Sequence, residues 1–191
     1  MQRHDDAPTA SRDATVDRHS FDRLMLEHLP AAHRLAIRLS GTADAGEELV
    51  QEAMLRASRS WQSFRGEAAF TTWLFQIVIN VFRDSIRRRP DEPAELLEQA
   101  DRRSSDPRDL ASGAELGALI AQQVSHLPPR QREVLILVAY EDVSIGEAAA
   151  LLGISEQNVR TNLHFARQAL RTKLAAYLGG EDRCENGSRQ I

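Results

Sequence analysis

Thr72, Gln76, Asn80, Arg83 and Arg87 follow one another at steps of four, four, three and four residues. That spacing lines them along a single face of a helix. Their chemistry is that of recognition: a hydroxyl and two amides suit base edges, and guanidinium groups suit phosphates. The line runs into three consecutive arginines, Arg87, Arg88 and Arg89. No nucleophile–base set is visible, and the histidines (His4, His19, His28, His33, His126, His164) show no paired ligand spacing. Neither enzyme chemistry, nor a metal, nor any other cofactor is therefore expected. A plainer account of the same line is the wetted edge of a core helix whose basic end suits the helix dipole. This helix alone leaves both accounts open.

The element that must carry the line is Phe70–Arg89, FTTWLFQIVINVFRDSIRRR, which has no internal Gly or Pro and is followed by Pro90. Trp73, Ile77 and Val81 recur every four residues, with Phe75, Ile79, Phe82 and Ile86 in neighbouring rows. Such a helix is sunk in a core on most sides and shows one polar strip. Ahead of it, helical patterning starts at Ser20, with Phe21, Leu24, Met25 and Leu29 on one face. Pro30 interrupts, and Ala32, Leu35, Ala36 and Leu39 continue to Gly41. Thr42 or Asp44 caps the next helix, whose first turn is acidic as the dipole prefers. Leu49, Ala53, Ala57 and Trp61, with Val50 and Met54, turn inward there, while Gln51, Glu52, Arg56 and Arg59 face out. Residues 20–89 read as one small helical domain.

The chain has 191 residues, 42% of them hydrophobic and 27% charged, enough for one medium domain or two small ones. No apolar run reaches the roughly 20 residues that span a bilayer, and the polar stretch 1–19 reads as a disordered arm with no secretory h-region. The single cysteine, Cys184, excludes an internal disulfide and a cysteine-rich zinc site. A cytoplasmic protein is expected. The net charge of −4 is unusual for a nucleic-acid binder, but positive charge collects at particular helix ends. All basic residues except Lys173 are arginines, so arginine identity alone is no sign of phosphate recognition.

Residues 90–113, rich in Pro, Asp, Ser and charge, read as a flexible linker. Helical order returns over 114–178, and 179–191 reads as a disordered tail. Pro128–Pro129 suits a helix start, and the helix that follows uses Val134, Leu135, Leu137 and Val138. Ser144 with Glu147 makes a capping box, Gly153 a helix stop, and Ser155 a second cap. The last helix buries Val159, Leu163, Ala166, Leu170 and Leu174, with Gln157, Asn158, Arg160, Thr161, Asn162, His164, Arg167 and Arg171 outward. A short helix, a Gly turn and a second helix with a polar outer face match the helix-turn-helix plan. A packing αα-hairpin is the plainer alternative. The expected fold is all-α, with two small helical domains.

Three stretches, GEELVQEAMLRASRSW, SFRGEAAFTTWLFQIVINVFRDSIRRR and LPPRQREVLILVAYEDVSIGEAAALLGISEQNVRTNLHFARQAL, resemble in order and spacing the extracytoplasmic-function (ECF) sigma factors of bacterial RNA polymerase. The resemblance covers residues 21–89 and 115–176. It implies a region 2 bundle and a region 4 helix-turn-helix, a subunit that directs core polymerase to promoters and helps open the strands, and no catalysis of its own. It assigns Gln51, Glu52, Arg56 and Arg59 to the β′ clamp helices, with the β flap as a second contact on the core.

By the same resemblance, Thr72, Gln76, Asn80, Arg83 and Arg87 meet the non-template strand of the −10 element. The Ser63–Ala69 loop, with Phe64, Arg65 and Glu67, is the candidate base pocket, and Arg87, Arg88 and Arg89 grip phosphates. Gln157, Asn158, Arg160, Thr161, Asn162, His164 and Arg167 are the candidates for the −35 element. An anti-sigma factor is a further implied partner. Where the family often reads V-K-S-R-L-H-R-A-R this chain has VRTNLHFAR, so Asn162 and Phe165 replace common arginines. The competing reading is a stand-alone helix-turn-helix regulator of duplex operators, which would need self-association to read a two-fold site.

Overall fold

The computed structural model describes residues 10–66, 69–88 and 113–178, and all the regular structure among them is helical. Seven α-helices follow in order: α1 Ala10–Ser40, α2 Ala43–Ser60, α3 Phe70–Arg88, α4 Gly113–Ser125, α5 Pro129–Ala139, α6 Ile145–Leu152 and α7 Glu156–Leu178. A 3-10 turn, Trp61–Ser63, extends α2. The linker assigned to 90–113 lies outside the described residues except for its last position, as do the arm up to residue 9 and the tail from 179. Among the described residues no helix is long and apolar enough to cross a membrane.

Helix α1 begins ten residues before the apolar pattern sets in and runs straight through Pro30. A proline inside a helix loses one hydrogen bond and crowds the preceding turn, at a cost of about 3 kcal/mol. Pro30 itself faces solvent, and Met25, Ala32, Leu35, Ala36 and Leu39 on the other side are all buried. Packing along that face outweighs the local penalty. Gly41 ends the helix with φ +88, a left-handed conformation that glycine adopts freely. Thr42 then caps α2, its hydroxyl accepting from Ala45 N–H at 3.3 Å. Leu49, Val50, Ala53 and Ala57 turn inward as expected, and Gly46 lets α2 lie directly against Ile37.

Helices α1, α2 and α3 pack into one bundle, and α5, α6 and α7, with α4 against α7, into a second. The two bundles also touch: α1 packs on α4 and α5, and α3 on α6. Their buried residues form one continuous cluster. Two tethered modules with separate surfaces were expected, so the joint between them is a finding of its own.

Candidate nucleic-acid interface

Aromatic packing builds the first part of the site. Trp61 stacks on Phe64 with ring centroids 5.4 Å apart and planes 20° from parallel. Phe64 lies 5.1 Å from Trp73, and Trp73 lies 5.4 Å from the buried ring of Phe70. Phe70 is a core plug, whereas Phe64 is half-buried and faces an open cavity of about 200 Å³. Ser63, Phe64, Arg65, Gly66, Thr72, Trp73 and Gln76 line it. The loop and helix singled out in the sequence thus come together, with exposed Arg65 and Gln76 beside aromatic rings. Trp73, part of the apolar core rows by spacing, also lines the cavity; its position next to Thr72 and behind the loop is the signal for this in the sequence. Glu67 lies outside the described residues, and Asn80 sits exposed one turn beyond Gln76.

The polar line does not continue as a free strip. Arg83 leaves it: its Nε and Nη2 donate to Glu133 Oε1 and Oε2 on α5 at 2.8 and 2.9 Å. This corrects the expectation that Arg83 faces outward, because a carboxylate of the other bundle takes two of its N–H donors and leaves the side chain only partly exposed. Glu133 holds the Arg83 guanidinium above its ordinary value, against the opposing effect of burial. Arg87 and Arg88 are exposed, and Arg87 Nη2 donates to Asp84 Oδ1 at 2.9 Å. Arg89 lies outside the described residues.

On the outer side of α2, Gln51 and Arg59 are exposed. Glu52 and Arg56 are tied into a chain that reaches α3. Arg56 Nε donates to Glu52 Oε1 at 2.8 Å, and Arg56 Nη1 to Asp84 Oδ2 at 2.7 Å. Arg56 holds both carboxyls below the usual carboxylate range. Leu55, half exposed among these groups, was not recognised in the sequence as part of the face.

The helix-turn-helix forms from its local signals. Ser144 Oγ accepts from Glu147 N–H at 3.2 Å while Glu147 Oε2 accepts from Ser144 N–H at 3.1 Å, completing the capping box. Gly153 takes φ 66, and Asn158 N–H donates to Ser155 Oγ at 3.2 Å. Helix α7 buries Val159, Leu163 and Ala166 and exposes Gln157, Asn158, Arg160, Thr161, His164 and Arg167. Asn162 is half-buried. Several of these groups are already engaged along the helix: Asn162 Nδ2 donates to Asn158 O at 2.8 Å, Thr161 Oγ1 to Gln157 O at 2.9 Å, and Arg160 Nη2 to Glu156 Oε2 at 2.8 Å. Phe165 stands 49% exposed among them.

Comparison with known proteins gives these surfaces their context. Residues 24–90 match the sigma-70 region 2 family, and residues 118–170 match sigma-70 region 4. The class is thus a two-domain sigma factor. The chain is 36% identical over 176 residues to the ECF RNA polymerase sigma factor SigE of Mycolicibacterium smegmatis, covering 88% of this chain and 68% of that one. It is 33% identical over 173 residues to the ECF RNA polymerase sigma factor SigM of Mycobacterium tuberculosis, covering 91% and 86%. Among solved structures, the sigma factor RpoE in complex with the anti-sigma factor NepR from Bartonella quintana matches with a TM-score of 0.66. It is 27% identical, with 81% of this chain and 96% of that one covered. CnrH in complex with the cytosolic domain of CnrY matches with a TM-score of 0.63 at 27% identity, covering 87% and 95%.

The chain belongs to the ECF sigma factors of RNA polymerase. It is a transcription initiation factor that directs the core enzyme to promoters.

Proposed function

We propose a division of labour among the surfaces just described. Residues 20–89 form the module that holds core polymerase and the −10 element, 114–178 the module that reads the −35 element, and 90–113 the linker, with 1–19 and 179–191 outside both. Gln51, Glu52, Arg56 and Arg59 meet the polymerase clamp. The order imposed by Arg56 on Glu52 and Asp84 supports this, since a pre-arranged mixed-charge patch favours one docking orientation.

The observation that carries the reading is the cavity beneath Phe64, beside Trp73 and Gln76. Strand opening needs a protein that holds an unpaired base better than a paired one. Pulling a base from the stack costs a few kcal/mol, and a pocket with an aromatic wall can return about 1–3 kcal/mol per base. Thr72, Gln76 and Asn80 follow the strand from there, and Arg87, Arg88 and Arg89 engage phosphates. Helix α7 enters the major groove at −35 through Gln157, Asn158, Arg160, Thr161, Asn162, His164 and Arg167. The protein has no chemistry of its own, works in the cytoplasm and is held in check by an anti-sigma factor, as the bound partners of the two similar structures suggest. Run-off transcription with purified core enzyme on a promoter library tests the reading. Promoter-dependent transcripts are expected; binding to duplex DNA with no response from core enzyme would refute it.

A further inference from the structure

Asp84 on α3 belongs neither to the polar line nor to the outer side of α2, yet both reach it. Its Oδ2 accepts from Arg56 Nη1 of α2 at 2.7 Å, and its Oδ1 from Arg87 Nη2, one turn further along α3, at 2.9 Å. Arg56 Nε also donates to Glu52 Oε1 at 2.8 Å. The result is an unbroken ionic chain, Glu52–Arg56–Asp84–Arg87, running from the outer side of α2 to the basic end of α3. Both carboxyls in it lie below the usual carboxylate range. The hydrogen bond from Arg56 is the largest cause for each, burial opposes it, and the charge of Arg88 adds to the lowering of both. At neutral pH the two acids are therefore ionised.

Stability does not require this chain. Ion pairs near the surface contribute little, because solvent screens them and two long side chains must be held still. Helices α2 and α3 already share a core in which Val50, Ala53, Leu74 and Val78 are buried. What the chain fixes is position. Arg56, gripped from two sides and 29% exposed, presents its guanidinium in one place. Arg87 is tethered more loosely. Its side chain is 78% exposed, so a phosphate can reach it, but the Asp84 carboxylate competes for the same guanidinium. A phosphate brought to Arg87 also meets the negative charge of that carboxylate.

We propose that Asp84 is a positioning residue shared by two binding surfaces: it sets Arg56 in place for the polymerase and holds Arg87 back until a DNA phosphate displaces it. This rests on the reading that the outer side of α2 meets polymerase and the basic end of α3 meets phosphates. Asp84→Asn keeps the side chain's shape and removes its charge. The two surfaces then change in opposite directions. Arg56 keeps Glu52 but loses its anchor on α3, so it docks in a less defined geometry. Arg87 loses its competitor, and the local repulsion of phosphate disappears. A residue that merely braced α2 on α3 would weaken both surfaces together when altered.

The test uses the full chain, purified core enzyme and a promoter fragment with an unpaired −10 region. In Asp84→Asn, core affinity should fall about fivefold, the upper end for a partly exposed ion pair. Binding of the assembled holoenzyme to the fragment should become more salt-dependent, its log–log slope steepening by up to about 0.9, one phosphate's share. Double-mutant cycles locate both effects. In an Arg56→Ala chain, adding Asp84→Asn should weaken core binding no further; in an Arg87→Ala chain it should leave the slope unchanged. Circular dichroism shows that each variant folds. Loss of both activities together, no change in either, or additive effects in the cycles would overturn the shared carboxylate. Should Arg56→Ala bind core normally, or Arg87→Ala keep the native slope, the assigned surfaces themselves are wrong and the proposal falls with them. Weakened arginine variants beside an inert Asp84→Asn overturn the proposal alone.

Discussion

Gln76→Trp would place an indole in the cavity between Phe64, Arg65 and Trp73. Gln76 is exposed on α3, so the change touches no buried contact and should alter stability by less than about 0.5 kcal/mol. A cavity of about 200 Å³ that receives one flat base has no room for a second ring system. If the pocket captures an unstacked −10 base, losing that contact removes about 1–3 kcal/mol, or about 5–150-fold in open-complex formation. Core affinity should stay as it is, because the substitution lies away from the outer face of α2. Permanganate footprinting and run-off transcription on duplex promoters measure the loss. An abasic scan through the non-template −10 strand then isolates the pocket: removing the captured base should cost the native protein the same factor and the filled variant almost nothing. Native-like initiation by Gln76→Trp, or an equal abasic penalty in both proteins, would refute base capture here.

Asn80→Ala should impair promoter opening more than core binding, and Glu52→Arg should do the reverse; parallel losses of both activities in each variant would argue against separate faces. A Cβ at Gly46 would lie 2.6 Å from Ile37 Cγ1 and 2.8 Å from Ile37 Cα, so Gly46→Ala should cost ~1–3 kcal/mol. The melting temperature should fall by roughly 2–4 °C for each kcal/mol, and an unchanged melt would contradict the close approach of α1 and α2. A thymine methyl laid against exposed Phe165 in the major groove would gain an apolar contact. Replacing the contacted thymine by uracil should weaken −35-dependent initiation about fourfold, the value of one buried methyl, and Phe165→Ala should abolish that difference. Burial pushes the Glu141 carboxyl above its ordinary value, while Arg38 and Arg34 pull it down and Asp142 adds to the rise. The folded chain therefore holds this proton more tightly than the unfolded one. The stability it contributes is complete below the unfolded value of about 4.3 and is lost as pH rises through the higher folded value. The melting temperature should carry a matching fall across that window, and Glu141→Gln should lessen it.

Much of the fold was legible because its signals are local. The Ser144–Glu147 box, the left-handed Gly153 and the Thr42 cap each depend on a few consecutive residues, and each forms in the structure. The pocket was half legible. The loop and the polar line could be read from spacing, but the part played by Trp73 depends on how Trp61, Phe64 and Phe70 pile together in space. Pro30 misled for the opposite reason: a true local penalty is overruled by the long buried face of α1. Arg132 and Glu133 were not singled out, since charge ordinarily marks a wet surface. Their phase gave a hint, because both fall within a turn of Ile136 and Leu137 on the buried side of α5. What claims them comes from helices some fifty and ninety residues away in sequence, Arg83 at a separation of 50 and Leu39 at 93.

The last turn of α1 is finished by another part of the molecule. A helix leaves its final carbonyls without partners of their own, and here the oxygen of Leu39 is satisfied by a guanidinium from α5. Without that guanidinium the end would rely on water and on the Gly41 N–H bond to Ile37 at 2.8 Å. Amide exchange around residues 37–41 should then quicken, so a few backbone protons report whether α1 and α5 are in contact.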